Sequence, residues 1–523
     1  MAVPRVRIAP SPTGFFHVGT GRTALYNWLF ARRYGGVFIL RIEDTDTERN
    51  REEWVDGIVD ALSWLGMEPD EGPYRQSERR ERYRSVLDTL WDAGNLYACD
   101  CTREEVVART AGHATPGYDG YCRSRGVSRE GHALRFRTPD EGETHVHDLV
   151  RGDVVFRHET MEDFVVARSN GEPLFVLANI VDDRDMRITH VIRGEELLPS
   201  APKAILIWEA LDAAESGAAE GGAREGGAAA DGSSEAGSSA AGSSAAGSSA
   251  GTGARPLPAW AHLPMLVNEH RQKLSKRRDA VAVELYRDQG FLPEALRNYL
   301  ALLGWSPPGD DEKVPLQVLI DNFTLRDVNH SPAFFDVKKL AHMNGEYIRE
   351  LTVEDFIARS RPWVDPSGER AAGRWAPGSV GPPPWPPERF DEGVFAKLAR
   401  VVQERVTTLG EVPRLVDFVF LEDPPFDDAS WQKAISADPE AAALLDAAIA
   451  EYAQIEWSAE ALRAATLRVA ERSGRKLAKA QAPIRVAVTG RTVGPPLFES
   501  LEVLGRDETL RRLGAAAHRA RAT

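Results

Sequence analysis

The chain is short of cysteine, of long apolar runs and of positive charge, and each shortage excludes a class of protein. Three cysteines in 523 residues cannot build a disulfide framework, which agrees with a reducing compartment. No apolar run reaches the length of a membrane span, and the N-terminal MAVPRVRIAPSPTG has no apolar signal region, so a cytoplasmic protein without a membrane partner is expected. The formal net charge of −15 argues against a generally cationic coat. Any nucleic-acid partner must therefore be met by local basic patches on an acidic body. The length allows roughly three or four domains.

Two widely separated segments carry most of the information. Val3 to Ile8 reads as a strand, a Pro/Ser/Thr/Gly loop follows, and Thr20 to Arg33 has apolar residues at helical spacing. A strand–loop–helix junction aims backbone N–H groups and the positive end of a helix dipole at whatever lies above it, which suits an anion. His17 and Thr20 can donate to phosphate oxygens, and Gly19 has no side chain to keep a planar ring away. Far downstream, Lys273, Ser275, Lys276 and Arg277 form a polar KLSKR loop after the apolar run Leu263 to Val267. Together the segments read as an ATP site split along the chain, with catalytic donors His17, Thr20, Lys273 and Lys276.

Strand-like and helical patterns alternate to about residue 98, the mark of a doubly wound α/β domain. Phe38 to Ile42 reads as its second strand, ending in Glu43, Asp44 and Asp46, where such sheets gather ligands. Thr45 to Trp54 reads as helical, which makes Asp44 and Asp46 candidate helix caps and leaves Glu43 as the functional carboxylate. Residues 99–171 interrupt the alternation with all three cysteines and short β-like runs. The α/β pattern returns with Leu174 to Ile180, Arg187 to Arg193 and a helix from Ala201 to about Leu211. Residues 212–256, rich in Gly, Ala and Ser, bury too little apolar surface to offset ordering entropy and are expected to be a disordered insertion. Such an insertion of about 45 residues spans on the order of 35–40 Å as a flexible coil and costs a surface loop little stability. Beyond a Pro/Gly stretch from Pro362 to Pro387, helical periodicity dominates, with Ser458 placed as a helix N-cap.

The pairing of PSPTG-x-x-HVGT with KLSKR resembles the two ATP motifs of class I aminoacyl-tRNA synthetases. The flanking RIEDTD (41–46), GPYRQS (72–77), NIVDD (179–183), THVIRGEE (189–196) and FLPEALRNYL (291–300) narrow the resemblance to bacterial-type glutamyl-tRNA synthetases, in order along the chain. The resemblance implies a Rossmann-like catalytic domain from 1–98 and 172–262, interrupted by an acceptor-binding insertion at 99–171. A stem-contact region at 263–350 and a helical anticodon-binding region at 351–523 follow. It further implies ATP as substrate with Mg²⁺, L-glutamate and tRNA-Glu as partners, a glutamyl-adenylate intermediate, and a monomer.

Glutamate and glutamine have nearly one shape, so selection has to read charge, and an arginine fork accepts a carboxylate while rejecting an amide. On the resemblance, Arg7 and Arg193 are the substrate arginines, Ser11 and Asn179 neutral partners, and Glu43 the acceptor for the α-ammonium. Phe175 stands where the family commonly has tyrosine, which removes one hydroxyl contact. Cys99, Cys101 and Cys122 resemble the zinc knob of some members, with Tyr118 as fourth ligand and His113 or His132 as alternatives. Ser124 occupies the place of a frequent family histidine. Zinc needs four donors, so the fourth stays open at this stage. Gln403 to Leu409 resembles the helix whose arginine reads the last anticodon base, making Arg405 the candidate. The competing reading is a catalytically silent paralogue acting as a tRNA-binding or regulatory protein.

Overall fold

The computed structural model describes residues 3–46, 48–112, 117–225, 255–275, 280–368 and 381–522, with the side chains of 217–225 left aside. Two compact units are present, Met1–Val283 with Leu300–Phe335 and Glu284–Tyr299 with Asp336–Thr523.

The first unit opens with β1 (Arg5–Ile8), α1 (Val18–Arg33), β2 (Val37–Ile42), α2 (Glu52–Trp64) and β3 (Glu71–Arg75), and its three strands lie parallel in the order β1-β2-β3. After α3 (Arg80–Asp92) the chain departs into β4 (Leu96–Cys99), α4 (Arg103–Thr110), β5 (Ala133–Phe136), β6 (Glu143–Asp148), β7 (Gly152–Arg157) and β8 (Val165–Ala167). Strands β4, β5 and β8 make a small antiparallel sheet of their own. The chain then returns through α5 (Phe175–Asp185), β9 (His190–Gly194), α6 (Ala201–Glu225) and β10 (Ala259–Leu263). A second sheet has the order β7-β6-β10-β9, with β6, β10 and β9 parallel. Thr189, just before β9, donates its N–H to the Arg5 carbonyl at 2.9 Å, so β1 and β9 meet and the two parallel halves diverge from that line.

The strands read as near-continuous apolar runs because both faces are covered. Each of β1, β2, β9 and β10 nevertheless carries a buried polar residue at its penultimate position: Arg7, Arg41, Arg193 and His262. Helix α1 is buried at every residue from Gly21 to Ala31, and its polar side chains bond outward, although Arg22 Nε and Asn27 Oδ1 are buried without a hydrogen-bond partner. Arg22 donates to the Leu303 and Pro264 carbonyls, Tyr26 to the Leu303 carbonyl at 2.9 Å, and Asn27 to the Ile192 carbonyl at 3.1 Å. These bonds seat the N-terminus of α1 beside the carboxyl end of β9.

Three expectations are corrected. Helix α2 starts at Glu52, not Thr45, because Asp44 turns away to accept from the Ser77 N–H (2.8 Å) and hydroxyl (2.7 Å), while Asp46 pairs with Arg49. Helix α6 runs on to Glu225, so disorder from 212 does not hold over 212–225. Asp212 and Glu215 anchor that extension on buried Arg184 at 2.6 and 3.0 Å, and the alanine-rich sequence favours helix. The remainder of that segment, 226–254, lies outside the described residues. Arg405 is not helical: the helix Glu392–Gln403 ends before it, and Arg405 closes the following turn on the Val402 carbonyl.

The second unit is helical, with no strand among its described residues. One core gathers Phe356, Phe395, Leu398 and Val416, and another Leu445, Tyr452, Leu462, Ile484 and Leu513. Ser458 caps the helix Ala459–Arg472 through the Ala461 N–H, as its position predicts. Among the described residues no helix is long and apolar enough to cross a membrane.

Candidate active site

The carboxyl ends of β1, β2 and β9, with the start of α1, enclose a cavity of about 290 Å³. Nine of the sequence candidates line it: Arg7, His17, Gly19, Thr20, Glu43, Phe175, Asn179, Arg193 and Lys273. Ser11 does not; it is exposed, its carbonyl holding the Thr13 N–H at 2.9 Å in the loop before α1. Ser275 is not a lining residue, and Lys276 lies outside the described residues.

His17 is the N-cap of α1, its Nδ1 accepting the Gly19 N–H at 2.9 Å. That bond puts the proton of the neutral ring on Nε2, a donor beside a positive helix end. A Cβ on Gly19 would approach His17 Nδ1 to 3.1 Å, so glycine keeps this cap unstrained. The segments on both sides of 276–279 are anchored nearby. Leu274 N–H binds the Leu266 carbonyl at 3.1 Å, Val18 N–H binds the Val281 carbonyl at 2.7 Å, and Val283 N–H binds the Phe16 carbonyl at 2.9 Å. Lys273 pairs with Glu196 at 3.6 Å across exposed surface.

Beneath the cavity lies a buried charge network that sequence reasoning did not assemble. Asp183 accepts Arg7 Nε at 3.0 Å and Arg41 Nη1 at 2.7 Å, and Arg41 also donates to Asn179 Oδ1 at 2.5 Å. Neighbouring Asp182 accepts from Tyr83 (3.0 Å), Gln76 (2.9 Å) and Arg79 (2.7 Å). Arg41 and Asp182 are both fully buried. Burial works against the Asp183 charge, and Arg7 and Arg41 outweigh it, holding the carboxyl below its usual range. Glu43 goes the other way: burial pushes it up to about 7 despite Arg41 and Arg7. Arg193, 7 % exposed, is pulled down to about 9 by burial and the repulsion of Arg7. The sequence signal for Arg41 was there, a charge inside an otherwise apolar strand.

The cysteines form a separate cluster. Their three Sγ atoms lie within 4.8 Å of one another, with Cys101 and Cys122 at 3.4 Å and the Tyr118 hydroxyl 3.6 Å from Cys99 Sγ. His132 is half-buried, its Nδ1 engaged with the Ser128 carbonyl, and is not in the cluster; His113 lies outside the described residues. The three thiols have the soft chemistry that zinc takes, and the Tyr118 hydroxyl, a harder oxygen donor, stands beside them where a fourth ligand is needed. Arg405 is exposed in the second unit.

The model of the class I tRNA synthetase (E and Q) catalytic domain matches residues 4–220 and 253–342, and the anticodon binding domain model matches 355–517. The chain therefore belongs to the class I tRNA synthetases of the glutamate and glutamine group. It is 52% identical to the glutamate–tRNA ligase of Frankia alni over 98% of each chain, and 48% identical to that of Thermobifida fusca over 99% of this chain and 98% of the relative. Among solved structures it resembles a glutamate tRNA ligase from Elizabethkingia meningosepticum in complex with its amino acid, with a TM-score of 0.74, 29% identity and 99% coverage of both chains.

If the Asp183 network holds the floor of the cavity together, Arg41→Met, which leaves two buried aspartates short of a partner, should cost about 3–5 kcal/mol. The urea transition of the first unit measures this, and a loss under about 1 kcal/mol would show that the network is not needed for stability.

Proposed function

We infer that the chain is a glutamate–tRNA ligase, joining L-glutamate to tRNA-Glu at the expense of ATP. The observation that carries this is one cavity in which two arginines, a carboxylate and an amide converge beside the start of a helix. The curated relatives are enzymes of that activity, and the silent-paralogue alternative draws no support from them.

In the first step a carboxylate oxygen of glutamate forms a bond to the α-phosphorus of ATP, and the bond to pyrophosphate breaks. In the second the ribose hydroxyl of the terminal adenosine attacks the acyl carbon and AMP leaves. Neither step needs a protein nucleophile; both need positioning and cations at the developing charge. His17, Gly19 and Thr20 at the start of α1 are the proposed nucleotide contacts, with Lys273, Ser275 and Lys276 serving the leaving phosphates. Mg²⁺ supplies further charge on the phosphates when bound. Arg7 and Arg193 take the glutamate carboxylates, Asn179 and Ser11 assist, Phe175 packs against the substrate, and Glu43 receives the α-ammonium.

Residues 99–171 are proposed to hold the tRNA acceptor end, with zinc on Cys99, Cys101, Cys122 and Tyr118. Elemental analysis should find about one zinc per chain, and a metal-free, fully active protein would count against it. Residues 263–350 are assigned to the stem and 351–523 to the anticodon, where Arg405 reads the last base. Arg405→Gln should raise charging of tRNA-Gln relative to tRNA-Glu, and unchanged discrimination contradicts that role. A cytoplasmic monomer completes the proposal, with sedimentation at the mass of one chain expected.

Pyrophosphate exchange with glutamate and with glutamine, each with and without tRNA, tests the reading. Exchange is expected with glutamate only and only with tRNA present. Exchange with glutamine, or with neither amino acid, overturns it.

Glu43 sets a pH dependence. Its folded value of about 7 lies above the ordinary 4.5, so the folded chain holds an extra proton between those values. Its charge is then a destabilising influence that grows as pH rises through that window. The α-ammonium needs the carboxylate, so binding releases a proton near pH 6. The KM for glutamate should rise up to about tenfold per pH unit below 7, and Glu43→Gln should have a higher KM without that slope. A parental slope in Glu43→Gln would exclude Glu43 as its source.

A further inference from the structure

Arg193 differs from Arg7 and Arg41 in what holds it. No carboxylate pairs with its guanidinium among the described residues. Its Nη2 donates to the Leu197 carbonyl at 3.0 Å, and its Nε donates to His262 Nε2 at 3.0 Å. His262 is fully buried and stands directly opposite Arg193 in the β9–β10 ladder. Because Nε2 accepts, the ring proton is on Nδ1, which points at Asp148 Oδ2 at 2.6 Å. Asp148 ends β6 and is itself pinned by the N–H groups of Val150 (2.9 Å), Arg151 (2.8 Å) and His262 (3.0 Å). The Trp260 ring stacks on His262 at 6.1 Å between centroids, and the Arg193 guanidinium lies 5.0 Å from the same ring.

We propose that Asp148 and His262 are positioning residues for glutamate selection: Asp148 fixes the His262 tautomer, and His262 orients Arg193 without neutralising it. The inference rests on Arg193 as a glutamate ligand.

The chemistry explains why a neutral imidazole occupies this place. A carboxylate against Arg193 would orient it equally well but would satisfy its charge, leaving little preference for a substrate carboxylate over an amide. A bare imidazole could present either tautomer, and the wrong one would set an N–H against the guanidinium. The aspartate removes that choice, as an aspartate does for a catalytic histidine. Arg193 is then held in a single pose with its charge outstanding, and a bound carboxylate completes the pair. Nothing in this arrangement touches the nucleotide contacts at His17, Gly19 and Thr20. Its effect is therefore confined to the amino acid.

Three changes test this through tRNA-dependent pyrophosphate exchange, with KM for glutamate and ATP measured separately and melting temperature checked for each protein. His262→Leu removes the acceptor, His262→Gln restores an acceptor for Arg193 and a donor for Asp148, and Asp148→Asn turns the imidazole to the wrong tautomer. Expected are a ten- to hundredfold rise in glutamate KM for His262→Leu and Asp148→Asn, on the order of what a misplaced substrate contact costs. The ATP KM should stay within about twofold, preference for glutamate over glutamine should fall, and His262→Gln should recover most of the loss. If His262→Leu does not fold, Asp148→Asn against His262→Gln carries the same comparison. Arg193→Lys is the reference: parental glutamate KM there would overturn the role of Arg193 and this inference with it. A rise in Arg193→Lys together with parental glutamate KM, or equal rises for glutamate and ATP, in the folded Asp148 and His262 variants would overturn the positioning role alone.

Discussion

The bond from Asp183 to Arg7 and Arg41 is the constraint on which the site depends. Two guanidinium groups inside a sheet cannot remain charged without an anion among them, since a buried unpaired charge costs several kcal/mol. Asp183 supplies it from α5, and the same helix brings Asn179 to Arg41 and Asp182 to Arg79 and Tyr83. Helix α5 is thereby fixed against β1 and β2 by charge as well as by the packing of Leu177 and Val181 in the core. Arg7 reaches the cavity in one orientation because its Nε and one Nη are already committed to Asp183.

A division of labour follows among the four penultimate strand residues. Arg41 is a structural cation, buried and matched by carboxylates. Arg7 is matched on one side and borders the cavity with the other. Arg193 borders the same cavity held by neutral acceptors only, and His262 is the neutral acceptor. The site's charge is thus graded from fully paired at the floor to unpaired at the wall, which is the condition for an incoming carboxylate to be worth more than an amide. Glu43 fits the same grading with opposite sign, its proton held more tightly than in an ordinary carboxyl until a cation arrives.

Much of this was legible in the sequence where local rules apply. The strand–loop–helix start, the second strand ending at Glu43, and the Ser458 cap each follow from patterns within a few residues, whereas the N-cap role of His17 emerged only in the fold. Arg7 and Arg193 were named through a family resemblance, not through their own context. Residues whose roles depend on distant partners were missed: Arg41 and Asp183 are 142 positions apart, and Asp148 and His262 are 114 apart. Local pattern also misled. Asp44 and Asp46 looked like helix caps but are used by Ser77 and Arg49, and the Ala/Gly composition after 212 hid a helix held by Arg184. Asp44 is claimed by a distant hydrogen bond, Asp46 by a local ion pair, and the 212–225 helix joins its alanine propensity to a tertiary ion pair.

The central claim is that Asp183 acts on the substrate through Arg7. A double-mutant cycle of Asp183→Asn and Arg7→Lys, read on the KM for glutamate, addresses it directly. The account predicts that Asp183→Asn costs far less once Arg7 is lysine, a coupling of roughly 1–3 kcal/mol. Effects that add to within about 0.5 kcal/mol would mean that the two side chains act independently, and would contradict it.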